Sequence, residues 1–152
     1  AAVDHHAIGQ GLQVALLADW RVGSERSRYS MPELAGGVPC PLGSAILETL
    51  LGRAAMMHLV VGCQRLDAAA AREHRLIDEV AGDDELEGRA RERLATDCGY
   101  PAVAWRTTKK SHNDRFHRVL EEVALPAARA HAVSYLGGQA DAHFARILGD
   151  DG

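Results

Sequence analysis

The chain has 152 residues, of which 47% are hydrophobic and 25% charged, a composition typical of one soluble globular domain. Its 17 basic and 21 acidic side chains are interspersed and give a net charge of −4, which argues against binding to nucleic acid or to an anionic membrane. Three widely spaced cysteines without a CxxC pair favour a reducing, cytoplasmic setting over a disulfide framework, and no apolar stretch is long enough to span a bilayer.

The first predicted elements alternate between strand and helix. A strand near residues 1–7 precedes an apolar helix from about Gln10 to Ala18. A strand at "WRVGS" (20–24) and a short extended piece at "SRYS" (27–30) come next. The chain opens directly on "AAVDHHAIG", without an initiator methionine, and we expect a fragment or a processed chain.

The middle of the chain predicts a series of short elements. In order, they are a helix over 41–52, a helix over 54–61, a turn over 62–66, a helix over 67–75, an edge strand over 76–80 and a helix over 83–94. Gly52 ends the first of these helices, and Asp67 is a good N-cap for the third. The last helix has acidic residues in its first turn and arginines later, which suits the helix dipole.

From Pro101 onward the pattern predicts only helices. A single apolar stripe in this part comprises Phe116, Val119, Leu120 and Val123. Pro126 is expected to start or kink the next helix, and "ADAHFARIL" (140–148) closes the chain. We therefore predict one domain, α/β over 1–100, with a helical C-terminal extension over 101–152.

Several reactive side chains have an ordinary structural explanation. The histidines lack the spacing of metal ligands, and His5 and His6 are neighbours on a predicted strand that would face opposite sides, so we predict no metal site. Cys40, between two prolines, is either a nucleophile or buried apolar filler. Lys109 and Lys110 form either a solvated helix face or an anchor for a phosphate-bearing ligand.

Two other features point towards a site. Gly9 and Gly11 lie at the mouth of an apolar helix, where unpaired N–H groups favour a negative charge, although a lone GxG is a weak dinucleotide signal. Glu33 follows Pro32 in a segment that is rich in Gly and Pro and otherwise nearly free of charge. Such a carboxylate is either a local cap or a group that exchanges protons with a ligand.

Together these segments resemble a known family. The stretch "HAIGQGLQVALLADWRVGSERSRYSMPELAGGVPCPLGSA" (6–45) is similar to the second half of the crotonase core, the enoyl-CoA hydratase/isomerase family, and "LLGRAAMMHLVVGCQRLDAAAAREHRLIDEV" (50–80) continues the likeness. The resemblance extends from Ala1 to about Leu148. It implies a crotonase-like α/β fold, a ββα spiral core truncated at its N-terminus, with a helical C-terminal extension.

The resemblance also implies roles for individual residues. Crotonases bind acyl-CoA thioesters and stabilise an enolate with two backbone N–H groups, one of which corresponds here to the N–H of Gln10, between Gly9 and Gly11. The two glutamates of the hydratases correspond to Gln13 and Glu33. Because an amide does not exchange protons at neutral pH, the pair favours double-bond isomerisation over hydration, although Gln13 could still hold a water. Coenzyme A is expected as part of the substrate, and no other cofactor is expected.

The resemblance leaves several alternatives open. A non-catalytic acyl-CoA-binding or scaffold protein, and an enolate-forming decarboxylase or hydrolase, remain beside the single-glutamate enzyme. The first oxyanion donor and most of the adenine pocket lie in the family's N-terminal half, which the sequence lacks, so we expect another polypeptide to complete the site or the site to be lost. The resemblance makes residues 1–100 the C-terminal part of the crotonase core. Because the family's C-terminal helices pack against neighbouring subunits, it also implies that residues 101–152 are a helical oligomerisation or lid region and that the protein is a homo-oligomer, either a trimer or a hexamer.

Overall fold

The computed structural model describes residues 1–138, and within them it contains six short strands and six α-helices. The strands are β1 (Ala2–Val3), β2 (His6–Ile8), β3 (Val22–Ser24), β4 (Arg28–Ser30), β5 (Arg65–Asp67) and β6 (Glu79–Ala81). The helices are α1 (Gln10–Leu16), α2 (Pro41–Leu51), α3 (Arg53–Met56), α4 (Ala68–Glu73), α5 (Leu86–Cys98) and α6 (Ala102–Leu136). A 3-10 turn covers Glu33–Gly36 and a π-helical turn covers Met57–Val61. The predicted helix over 140–148 lies outside the described residues.

The strands form two three-stranded sheets. The first has the order β1-β3-β6 and is parallel throughout. The second has the order β2-β4-β5, with β2 parallel to β4 and β4 antiparallel to β5. The strand predicted near 1–7 is therefore two strands in different sheets. Asp4 lies at the crossover, where its carbonyl accepts a hydrogen bond from the hydroxyl of Ser24 and its carboxylate pairs with Arg26.

The core lies between the sheets and helices α1, α2 and α4. Its largest fully buried side chains include Leu12, Leu16, Tyr29, Met31, Ile46, Leu47, Leu59, Leu76 and Ile77. Tyr29 brings a hydroxyl into this apolar core, and that hydroxyl donates to Ser27 Oγ at 2.9 Å. Ser27 in turn donates to the carbonyl of Ser24 at 2.6 Å, so the buried polar groups satisfy one another.

Two of the predicted elements differ in the structure. The turn predicted over 62–66 includes the start of β5, because Leu66 is buried and pairs with Tyr29 across the ladder while its neighbours in the strand are exposed. The helix predicted over 54–61 widens into the π-helical turn, which places the consecutive residues Leu59 and Val60 both in the core. Both differences come from tertiary packing.

Helix α6 is a single helix of 35 residues, although several helices were predicted after Pro101. Pro126 lies inside it and does not end it. The predicted stripe is half-buried in the chain itself, and Phe116 and Leu120 pack against the main core. None of the helices in residues 1–138 combines the length and the apolar character that crossing a membrane requires.

The N-cap of α4 gives a test of the fold. Asp67 accepts a hydrogen bond from the backbone N–H of Ala70 at 2.9 Å, as predicted from the sequence. We expect Asp67→Ala to lower the free energy of unfolding by about 1 kcal/mol, measured by urea denaturation, and Asp67→Asn to lose much less because it keeps an acceptor oxygen. Equal losses in the two variants would contradict the capping role.

Candidate active site

The site lies where two neighbouring parallel strands end. Strand β2 ends at Ile8 and is followed directly by α1, while β4 ends at Ser30, three residues before Glu33. The backbone N–H of Gly9 donates to the carbonyl of Ser30 at 2.8 Å and ties the two strand ends together. The carboxyl ends of parallel strands meet at one edge of a sheet, so the start of α1 and the 3-10 turn share a location.

A cavity of about 610 Å³ opens at this edge. Its walls are the start of α1, the loop from Pro32 to Cys40 with the first turn of α2, and the C-terminal part of α6. The residues that line it include Gly9, Gln10, Gln13, Glu33, Cys40 and His131. Four of the five predicted site residues therefore meet in one place. The fifth, Gly11, borders a different cavity of about 310 Å³ between β1 and α1.

Glu33 has two differently placed carboxylate oxygens. Oε1 accepts a hydrogen bond from the side-chain amide of Gln13 at 3.1 Å. Oε2 is buried and accepts no hydrogen bond from an N–H or O–H group within the described residues, and the thiol of Cys40, a weak donor, lies beside the carboxylate. A buried carboxylate oxygen with so little compensation for the water it has lost is unfavourable. The arrangement therefore favours a ligand that supplies a hydrogen to Oε2.

Gly9 allows the carboxylate to approach α1. Its φ of +54° is left-handed, and a Cβ built there would lie 3.1 Å from Glu33 Oε1. The backbone conformation therefore favours glycine at this position, and a larger residue would also press against the Glu33 carboxylate. Immediately after it, Gln10 is the first residue of α1, and the first helical bond runs from the N–H of Gln13 to the carbonyl of Gly9 at 3.1 Å. The N–H of Gln10 lies before that bond and belongs to the unpaired first turn.

Cys40 lies at the cavity wall but is poorly suited to be a nucleophile. Its side chain is only 5% exposed. Burial, followed by the neighbouring charge of Glu33, raises the pKa of the Cys40 thiol to about 12. The reactive form of cysteine is the thiolate, which is scarce at neutral pH under these conditions. The structure therefore favours the interpretation of Cys40 as buried filler.

Helix α6 contributes two site residues that the sequence did not identify as such. His131 Nε2 donates to the carbonyl of Pro39 at 2.7 Å, and Ser134 Oγ donates to the carbonyl of Gly37 at 2.7 Å. Over ninety residues separate these partners in sequence, and no local motif marks them. Only the tertiary packing of α6 across the loop brings His131 to the cavity wall and Ser134 to the Gly37 carbonyl of the loop beside it.

The remaining candidates lie elsewhere. Lys109 pairs with Asp19 and Lys110 pairs with Asp114, each at 2.5 Å, and neither lysine lines the cavity. Both pairings suit a solvated helix face. Within residues 1–138, no three His, Cys, Asp or Glu side chains are grouped so that they could hold a metal ion.

Comparison with known proteins identifies the family. Residues 1–143 match the family model described as Enoyl-CoA hydratase/isomerase. The chain belongs to this family. It is 34% identical over 149 residues to a carboxymethylproline synthase from Pectobacterium carotovorum subsp. carotovorum, a match that covers 98% of this chain and 60% of that protein.

Solved structures confirm the predicted crotonase fold. ThnE from S. clavuligerus is 37% identical and superimposes with a TM-score of 0.82, over 86% of this chain and 63% of that one. A Thermobifida fusca YX protein of enoyl-CoA hydratase type, solved in complex with CoA, is 31% identical with a TM-score of 0.64, over 82% of this chain and 53% of that one. The chain thus spans little more than half the length of these relatives.

The cysteines allow a test of the site's electrostatics. Burial and the charge of Glu33 raise the pKa of the Cys40 thiol to about 12, so very little of it is ionised at pH 8. We expect iodoacetamide to alkylate the exposed Cys98 readily and Cys40 at least about a hundredfold more slowly, as measured by peptide mass spectrometry. Labelling of both at similar rates in the folded protein would contradict the placement of Cys40 beside Glu33 in a buried wall.

Proposed function

We propose that this chain forms the acid–base part of an acyl-CoA enzyme of the enoyl-CoA hydratase/isomerase type. Glu33 takes a proton from the carbon beside or conjugated to the thioester carbonyl and returns it. The backbone N–H of Gln10 stabilises the enolate oxygen that forms in between. The observation that supports this proposal most strongly is the buried, unpartnered Oε2 of Glu33 in the wall of a cavity.

The residues around Glu33 suit proton transfer by Glu33 and stabilisation of the enolate by the N–H of Gln10. Gln13 holds Oε1, which orients the carboxylate and leaves Oε2 as the atom free to accept a proton. An amide cannot exchange that proton at neutral pH, so Glu33 alone both removes and returns it. Beside Glu33, the first turn of α1 has unpaired N–H groups at the positive end of a helix, where one donor to an oxyanion is worth about 3–4 kcal/mol.

The proposed substrate class rests on the family and one of its members. A relative solved in complex with CoA supports a CoA thioester as the substrate, with coenzyme A as its carrier and no further cofactor. The cavity beside Glu33 would hold the acyl group. We also propose a homo-oligomeric enzyme, a trimer or a hexamer, which light scattering at micromolar concentration would test. A monomeric mass would contradict it.

A second outcome for the same enolate is favoured by one relative. The carboxymethylproline synthase is 34% identical over nearly the whole chain, and its name says that it makes a carboxymethylproline. In one such reaction the enolate electron pair would form a C–C bond to the carbon of a polarised C=N or C=O group, whose π electrons would move to its nitrogen or oxygen, and that atom would take up a proton. Decarboxylation of a malonyl-type thioester is a further route to the same enolate.

Replacement of Glu33 tests the proton transfer. We expect the wild-type chain, together with the polypeptide that completes its site, to convert 3-enoyl-CoA to 2-enoyl-CoA faster than it hydrates 2-enoyl-CoA, and to exchange the α-hydrogens of an acyl-CoA with D2O. Glu33→Gln should lower both rates by at least about a hundredfold and leave CoA affinity within about twofold, since the amide keeps the shape but loses the base. Glu48→Gln, on the exposed face of α2, is the matched control and should behave as wild type.

Each other outcome of this experiment points to a different function. Wild-type turnover by Glu33→Gln would show that the site is wrongly assigned. Addition of water at ordinary rates by the unaltered chain would remove the preference for isomerisation. No reaction on any thioester, with CoA still bound, would favour a scaffold or binding protein.

Restoring the missing carboxylate tests the role of Gln13. Gln13→Glu should add or raise hydratase activity, because two carboxylates can divide the binding of water and the delivery of a proton. The pH profile of kcat should then gain a second ionisation, while Gln13→Met should gain neither. A loss of all activity in Gln13→Glu, with the fold intact by circular dichroism, would contradict the idea that a water fits between positions 13 and 33.

A further inference from the structure

Helix α6 buries one polar residue that its neighbours do not explain. Ser134 is 1% exposed, whereas the adjacent Val133 and Tyr135 are 72% and 49% exposed. A serine buried on an otherwise accessible helix end needs a hydrogen-bond partner. It finds one outside the helix, because its Oγ donates to the carbonyl of Gly37 at 2.7 Å.

Gly37 is directly connected to the turn that begins with Glu33. It adopts a left-handed φ of +71° and ends the 3-10 turn, with its N–H bonded to the carbonyl of Leu34 at 3.1 Å. The next residue, Val38, donates its N–H to the carbonyl of Glu33 itself at 2.8 Å. The hydrogen bond from Ser134 therefore holds the peptide that closes a loop around Glu33.

A second contact makes this attachment rigid. One helical turn before Ser134, His131 donates to the carbonyl of Pro39 at 2.7 Å. Two hydrogen bonds from one face of α6 thus hold carbonyls two residues apart in the loop, and they fix both its position and its direction. On its other side, the same loop is held by the bond between Gln13 and Glu33.

We infer that Ser134 is a positioning residue, which keeps the Glu33 carboxylate in place through the carbonyl of Gly37. The expected effect of Ser134 on catalysis rests on the proposed function. The expected effect of Ser134 on the position of the loop does not. Removal of the hydroxyl leaves the carbonyl of Gly37 without its partner and lets the loop move, and catalytic groups displaced by about 1 Å lose rate by up to about a hundredfold.

Two measurements on the full chain test the inference. In the D2O-exchange assay, Ser134→Ala should lower kcat between about tenfold and a hundredfold while KM changes less than about threefold, and Ser134→Thr should restore most of the loss. Without reference to activity, Ser134→Ala should raise the alkylation rate of Cys40 by about tenfold, since Cys40 lies in the same loop. Val133→Ala, one residue earlier and exposed, is the matched control and should change neither quantity.

The outcomes separate this inference from the proposed function. Faster labelling confined to Cys40 supports positioning, whereas an equal increase at Cys63 would indicate general destabilisation and overturn it. Normal kcat and normal Cys40 labelling in Ser134→Ala would overturn it even if Glu33→Gln is inactive. Wild-type turnover by Glu33→Gln would overturn the proposed function and leave the labelling result to decide on the loop. If Ser134→Ala does not fold, Ser134→Cys keeps the shape, weakens the hydrogen bond and is judged by the same two measurements.

Discussion

The contact on which this site depends is the hydrogen bond from the Gln13 amide to Glu33 Oε1. It holds a carboxylate in a wall that is mostly apolar, where a charged group without partners is costly. It also makes the two oxygens unequal, since Oε2 remains buried and unpaired among the residues that the structure describes. Gly9 permits the close approach of the Glu33 carboxylate to the start of α1. The pKa of the neighbouring Cys40 thiol is raised to about 12, so the thiol adds no second negative charge at neutral pH.

The fold brings this pair together through its parallel strands. Because β2 and β4 are parallel neighbours, the residues that follow them lie at the same edge of the sheet. The hydrogen bond from the Gly9 N–H to the Ser30 carbonyl fixes the position of one strand end relative to the other. A helix start and a carboxylate then face the same cavity although twenty residues separate them in sequence. Helix α6 closes the other side by packing along α2, with Pro126 inside it, because a lost backbone bond in one turn is offset by the contacts of the whole helix.

Local sequence was sufficient where the determining contacts are local. The start of α1 after Gly9 and the N-cap at Asp67 were predicted because each depends on residues within one helical turn. Glu33 stood out because its segment otherwise has almost no charge. Strand β5 was missed because only Leu66 in it is buried, and the roles of His131 and Ser134 were missed because their partners lie over ninety residues away. The family resemblance supplied the fold, which no local pattern could have given.

The amide at position 13 also changes how the two side chains interact with each other. A glutamate there would repel Glu33 at 3.1 Å unless the two shared a proton or a water, so the pair would be organised around that shared hydrogen. Gln13 instead donates its own hydrogen and needs nothing between the two side chains. The direct bond leaves Oε2 as the carboxylate oxygen that Gln13 does not engage. Under the proposed function, a site built this way would move one proton between carbon and carboxylate, and the group admitted to the cavity beside the enolate would decide which bond the enolate carbon forms.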